Sequence, residues 1–408
     1  MHHGNGIGSR LRIALITEWF SEKMGYSTNY LPKALASLGH EVHLITSNGQ
    51  VYFTHSTYET TWEPFLGPGV VEPNSSEVDG YTLHRLPHLK FRGRVGIKGL
   101  ARKLRSLRPQ IVETTEFFSV TTQQAAISKL LLGFKLFVGC HSHASVFPLA
   151  RGEGDLRLRL RWHAFANTIG RITSALSEKA YPISADSAMI ATQFLGINKA
   201  KVEISPLGVD TEIFSPMYDE KALRARDNVR SELGFSKSDV VCIYTGRMTR
   251  DKGPAVLAEA VGRLAAQGYP VRGLFVGNAV REDMEAIKAW PGCVTIPFVP
   301  NRELPRLYWA SDIGVWPKQE STSQLDAAAC GLPIILGDRV LVRERIDGNG
   351  LVYKEDDPHD LARKIVDLLD PAIRRHMGER GVDNMRSKFS WDLIARGRTR
   401  DYEAALER

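Results

Sequence analysis

Cysteine is scarce in this 408-residue chain: Cys140, Cys242, Cys293 and Cys330 lie far apart, with no C-x-x-C pair. That spacing disfavours both a disulfide framework and a zinc site, and fits a reducing cytoplasm. Long apolar runs are missing as well. None reaches the roughly 18 residues that a bilayer-spanning helix needs. The opening MHHGNGIGSR has no apolar segment of the signal-peptide kind and is expected to be a flexible tail. Acidic residues are absent between Arg85 and Arg108, where nine Lys or Arg occur. No RNA- or DNA-binding motif accompanies that run, so nucleic acid is not expected as a partner. It serves either as a solvated helix face or as a surface for an anionic acceptor or membrane.

What is present is ordinary globular composition, 43% hydrophobic and 24% charged. The length exceeds what one hydrophobic core usually supports, so two domains are expected. LRIALIT (11–17), a loop through Gly25, a helix to about Leu38 and then GHEVHLIT form a βαβ unit, which implies a parallel sheet. The glycines at 4, 6 and 8 precede the first strand, so they are no dinucleotide fingerprint. Residues 49–80, rich in aromatic residues, Thr, Pro and Gly, read as an excursion at the sheet edge. A helix is expected near 96–107, with Ile97, Leu100, Leu104 and Leu107 on one face. Short strands at Ile111-Val112 and Leu136–Val138 end in polar residues, the second in Cys140-His141-Ser142-His143. A further helical stretch is expected near 155–177.

A second βα series opens at VVCIYTGR and continues through LFVGN, VTIPFV and LVYKED. Two such series make two Rossmann-like domains with parallel sheets facing across a cleft. The expected boundaries are 1–209 and 210–390, with 391–408 packing back on the first domain and hinges near Val209 and Ser390. Open sheets of this kind bind ligands at the C-terminal ends of their strands.

Two strand ends carry the chemistry. In TGRMTRDKG, Gly246 lets backbone approach a ligand, and Arg247 and Lys252 set two cations at the cleft. Such cations stabilise a departing diphosphate as its charge develops; the plainer alternative is a pair of solvated side chains. In WPKQESTSQLDAAACGLPII (316–335), a strand leads through a polar loop into a small-residue helix stopped by Gly331 and Pro333. The unpaired N–H groups at its start suit an anion. Ser323-x-x-Asp326 also fits a capping box in which Asp326 only steadies the helix. His141 is open to a second reading as a core histidine satisfied by backbone. Cys330 reads as a small buried residue, since no cation at suitable spacing would activate it.

These segments, with LGHEVHLIT, SPLGVDTEIFSP and ELPRLYWASDIGVWP, resemble in order the retaining glycosyltransferases of family 4, which have the GT-B fold. The resemblance spans almost the whole chain. It implies transfer of a sugar from a nucleoside diphosphate donor to a glycan, lipid or small-molecule acceptor, with no bound cofactor or metal. The chain also lacks an Asp-x-Asp pair. By the same resemblance, Arg247 and Lys252 hold the diphosphate and Gly25 and Gly246 allow its close approach. Thr322 and Ser323 offer N–H groups to the phosphates, Phe298 and Val299 flank the base, and His141 stands beside the transferred sugar, with His143 as its substitute. Asp326 matches the second acid of the family's Glu-x7-Glu motif, a ligand of the donor ribose. The first Glu falls on Lys318; Glu320 replaces it only if the loop is rebuilt. That departure leaves a catalytically silent nucleotide-sugar-binding partner protein as the alternative. A phosphorylase would need a pyridoxal phosphate lysine, for which no motif is found, and the two carboxylates of a glycosidase are not testable by spacing.

Overall fold

The structure is a computed structural model, and it describes residues 9–91, 93–145, 147–150, 152–153, 155–217 and 220–408. The opening tail with its three glycines lies outside the described residues.

The first domain begins with β1 (Arg12–Thr17), α1 (Ser27–Ser37) and β2 (Glu41–Ser47). The excursion that follows is more regular than its composition suggests. It holds two single-turn helices, α2 (Tyr58–Thr61) and α3 (Glu63–Leu66), and then β3 (Asn74–Val78) and β4 (Tyr81–Leu86). Next come a hairpin, β5 (His88–Phe91) and β6 (Arg94–Ile97), then α4 (Leu100–Leu107), β7 (Ile111–Thr114), α5 (Val120–Leu132) and β8 (Lys135–Cys140). The helix expected near 96–107 therefore starts later. Ile97 ends the hairpin, and Gly99, in left-handed backbone, turns the chain into α4. The stretch near 155–177 is α6 (Leu156–Arg161), a π-helical turn, and α7 (Asn167–Leu176). It leads to β9 (Lys179–Pro182) and α8 (Ala185–Gln193), capped by Ser184.

The sheet has seven strands in the order β3-β4-β2-β1-β7-β8-β9, parallel except for β3 at the edge. Its hydrophobic strands are buried on both faces, as a sheet covered by helices on both sides requires.

The second domain opens with α9 (Glu220–Glu232). It continues through β10 (Val240–Thr245), α10 (Pro254–Ala266), β11 (Val271–Val276), α11 (Arg281–Lys288), β12 (Cys293–Ile296) and α12 (Pro305–Trp309). Then follow β13 (Ile313–Trp316), α13 (Ser323–Ala329), β14 (Ile334–Gly337), β15 (Gly350–Tyr353), α14 (Pro358–Asp367) and α15 (Pro371–Lys388). Its six strands run β12-β11-β10-β13-β14-β15, all parallel.

The chain crosses between domains twice, and the crossings touch. Val209 and Ser390 form an isolated parallel bridge, with Val209 N donating to Phe389 O at 2.8 Å. Beyond it, α16 (Trp391–Leu406) packs against α1 of the first domain. Buried Glu113 on β7 fixes it there, accepting from Arg398 Nε at 3.3 Å and Tyr402 Oη at 2.5 Å. Among the described residues, no helix is long and apolar enough to cross a membrane.

Candidate active site

The C-terminal ends of both sheets meet across a cavity of about 360 Å³, within the size range of small-molecule sites. From the second domain, β10 delivers Gly246 and Arg247, and the following loop delivers Lys252. Gly246 and Gly277 lie back to back. A Cβ on Gly277, whose φ is +144°, would stand 2.0 Å from the Gly246 carbonyl. Gly277 lets these strand ends close up, while Gly246 is required by its own φ of +143°.

Arg247 lies over the ring of Tyr52, 5.6 Å from its centre, and pairs with no carboxylate among the described residues. Lys252 Nζ donates to the Glu320 carbonyl at 3.2 Å. Burial, with Arg247 alongside, holds its ammonium below the ordinary lysine range. An anionic ligand would relieve both.

α13 starts at the same cavity, with Thr322 and Ser323 in its wall. Thr322, just before the helix, has helical backbone and no side-chain cap bond, so the capping box does not form. Asp326 is buried at 4% exposure and does not line the cavity. Asn301 stands near it, its Nδ2 3.5 Å from Asp326 Oδ2. Burial pushes the Asp326 carboxyl well above the usual range. An Asp is one methylene shorter than the Glu of the motif, and it stays behind Asn301.

The loop before α13 takes an unusual turn. Gln319 adopts φ +58°, a left-handed conformation that non-glycine residues rarely take. Lys318 and Glu320 consequently point apart. Lys318 packs along Gly253 and pairs with Asp356 at 2.5 Å, away from the cavity wall. Glu320 enters the wall, accepting from Ser145 Oγ at 2.9 Å across the cleft and from Leu341 N at 3.3 Å. Buried Gln324 donates to the Gln319 carbonyl at 3.1 Å and accepts from Arg345 at 2.7 Å. Arg345 also holds the Ser321 carbonyl at 2.8 Å. At 4% exposure, Arg345 is a buried cation lining the same cavity.

From the first domain, β8 presents His141. Its Nδ1 lies 2.7 Å from the Thr115 carbonyl, so that nitrogen carries the proton and Nε2 is left as an acceptor, 3.5 Å from Ser27 Oγ. Burial lowers the ring's pKa to about 4, so it is neutral near pH 7. Backbone thus holds one nitrogen while the ring still lines the cavity: both readings of this histidine apply at once. His143 lines it too, paired with Asp186 at 3.2 Å. Behind them, Glu18 and Glu116 occupy adjacent positions past β1 and β7. Burial raises each carboxyl to about 7.

Gly25 faces the second domain. A Cβ there would lie 2.2 Å from Asn301 Nδ2, so the nearest group is this side chain, which also accepts from Tyr30 Oη. Phe298 and Val299 lie in the wall, Phe298 N donating to Asn278 Oδ1 at 3.2 Å. Trp62 and Tyr52, stacked 4.8 Å apart, close this end from the excursion.

Sequence reasoning missed Tyr52, Trp62, Asn278, Asn301 and Arg345. The aromatic richness of 49–80 marked the segment, but no period selects individual rings. Nothing local distinguishes Arg345 from a surface arginine. Among the described residues, no group of His, Cys, Asp and Glu could hold a metal ion. Burial pushes the Cys330 thiol well above its ordinary range.

Similar architecture occurs in Anabaena HepE, solved in complex with UDP-glucose. It superposes with a TM-score of 0.66 at 14% identity, covering 98% of this chain and 100% of that one. Two Rossmann-like domains facing across a cleft in this way define the GT-B fold. Residues 239–371 match the family described as Glycosyl transferases group 1, and residues 24–213 match Glycosyltransferase Family 4. The chain belongs to these family 4 glycosyltransferases. It is 27% identical over 370 residues to a D-inositol 3-phosphate glycosyltransferase of Segniliparus rotundus, across 86% of this chain and 79% of that protein. It is 29% identical over 224 residues to spore coat protein SA of Bacillus subtilis, across 50% of this chain and 59% of that protein.

Proposed function

We propose that the chain transfers a sugar from a nucleoside diphosphate donor to an acceptor hydroxyl, with retention at the anomeric carbon. The observation that carries this reading is the convergence of Arg247, Lys252 and the start of α13 on one cavity, opposite His141. Phe298, Asn278 and the Trp62–Tyr52 stack form a flat-walled end suited to a base. Glu320 and the two histidines form the end suited to a sugar.

In this mechanism the bond from the anomeric carbon to the diphosphate oxygen breaks, and its electron pair leaves with the diphosphate. Arg247 and Lys252 neutralise that charge, so the reaction requires no metal. The acceptor oxygen bonds to the carbon on the face just vacated, and its proton passes to the departing oxygen. Neutral His141 offers Nε2 as an acceptor for a sugar hydroxyl. No protein nucleophile takes part. HepE was solved with UDP-glucose, which supports a nucleotide sugar as the ligand class. The inositol phosphate enzyme's name supports a hydroxyl acceptor.

The test is incubation with UDP-, GDP- and ADP-sugars on a mixed acceptor panel, with anomeric configuration read by NMR. An α-linked donor should give an α-linked product. Nucleotide-sugar binding without transfer or hydrolysis on any acceptor would leave a silent binding protein instead.

A further inference from the structure

The helices covering one side of the seven-stranded sheet have an unusual surface. α5 packs between α4 and α7, and α6 leads into α7 through the π-helical turn. None of these four helices contains an Asp or Glu, although the whole chain has 46. Basic residues are spread over them: Arg102 and Arg105 on α4, Arg157 and Arg159 on α6, Arg171 on α7 are all exposed.

Between the cations, large apolar side chains stand in solvent. On α5, Ile127, Leu130 and Leu131 are 65%, 68% and 77% exposed, and their i, i+3, i+4 spacing puts them on one face. Leu160 on α6 and Ile172 on α7 are 60% and 58% exposed. Single exposed leucines are commonplace, but a contiguous apolar stripe edged by cations marks an interaction surface. At the cleft end of α5, the β5–β6 hairpin adds Arg94, which lies over Phe118; Arg92 falls outside the described residues.

We propose that this face docks on a bilayer containing anionic lipid, with the leucines entering the headgroup boundary and the arginines pairing with phosphates. Charge complementarity selects that partner. An apolar stripe alone would suit a second copy of the chain, but two such faces would bring together like charges from helices that carry no acid of their own. The surface runs from the rim of the cleft down the length of α5, roughly 20 Å at 1.5 Å per residue. The leucines occupy the last turns of α5, away from the cleft, so docking would lay the first domain along the membrane.

The experiment is sedimentation of the full chain with phosphatidylcholine vesicles, with and without phosphatidylglycerol, over a salt series. The wild type should partition onto anionic vesicles only, and salt should release it. Two variant sets separate the contributions: Ile127→Ser/Leu130→Ser/Leu131→Ser, and Arg102→Gln/Arg105→Gln. Each should lower partitioning at least tenfold with an unchanged melting temperature. The serine set should also weaken the fraction that survives added salt. Failure of the wild type to bind anionic vesicles at low salt would overturn the proposal, as would binding unchanged in both sets. A solution dimer that the serine set dissociates, without vesicle binding, would assign the face to a second copy. Vesicle binding is read without turnover, so it stands or falls independently of the donor reading.

Discussion

Lys252 carries the sharpest residue-level consequence. Burial, with Arg247 beside it, lowers its pKa below 10.5. The unfolded chain therefore keeps this proton to higher pH than the folded one. In the window between the two values stability rises with pH, because the unfolded state binds more protons there. Donor binding runs the other way. A diphosphate favours the ammonium, so binding takes up a proton in that window, and affinity falls as pH rises through it. Calorimetry in buffers of different ionisation enthalpy measures that uptake, and an absence of uptake at every alkaline pH contradicts the contact.

Glu320 makes a second prediction at this scale. Glu320→Gln keeps the shape and removes the charge, so preference for a sugar conjugate over the bare nucleotide should shrink about tenfold, the equivalent of ~1.4 kcal/mol. Affinity for the bare nucleotide should hold. An unchanged preference with unchanged turnover removes Glu320 from the site.

At the scale of elements, the loop 317–322 and α13 act as one piece. Arg345 and Gln324 brace a backbone that Gln319 holds in a left-handed turn, and this turn sends Lys318 out to Asp356 and Glu320 inward. Arg345→Gln should therefore reduce the conjugate preference as Glu320→Gln does, while also weakening the diphosphate by loss of a cavity cation. Arg345→Lys should restore the diphosphate part and some of the preference, because a single nitrogen, Nη1, makes both bonds to Ser321 O and Gln324 and an ammonium also has donors for two acceptors. If both variants match the wild type in both measurements, Arg345 is only a packed side chain.

The same loop shows what sequence could and could not supply. The strands and Arg247, Lys252 and His141 were legible because apolar runs ending in polar residues place themselves at the C-terminal edge of a parallel sheet. Position 318 was legible as a departure from the motif. Its consequence was not, because it depends on Arg345, which lies 24 residues downstream of Ser321 and is bonded to it through space. Asn301 is hidden in the same way. Its importance arises only when the domains meet and its side chain lies against Gly25 and Tyr30. The early end of the predicted 96–107 helix failed because the helical spacing of Ile97 continues into a hairpin, which Gly99 interrupts.

At the scale of the molecule, the two domains meet around the cavity through an aromatic patch, in which Trp62 and Phe65 lie against Phe298, and through polar contacts. Asn278 Nδ2 donates to Thr61 O at 2.6 Å, Asn301 N to Lys23 O at 3.1 Å, and Ser145 Oγ to Glu320 at 2.9 Å. Contacts of that kind separate readily, and the paired crossings at Val209 and Ser390 are the natural place for rotation. Domain opening there would admit the donor, and closure would bring His141 to the sugar. The C-terminal helix keeps both crossings short by anchoring on α1 and Glu113.

The central claim is that this cleft holds a diphosphate between Arg247, Lys252 and the start of α13. Isothermal titration of the wild type, Arg247→Ala and Lys252→Ala with nucleoside mono- and diphosphates tests it most directly. The wild type should bind the diphosphate at least tenfold tighter than the monophosphate, about 1.4 kcal/mol or more. Each alanine should close most of that gap while leaving the monophosphate nearly unchanged. Equal affinity for the two nucleotides in the wild type, or a gap that survives both substitutions, would contradict the account.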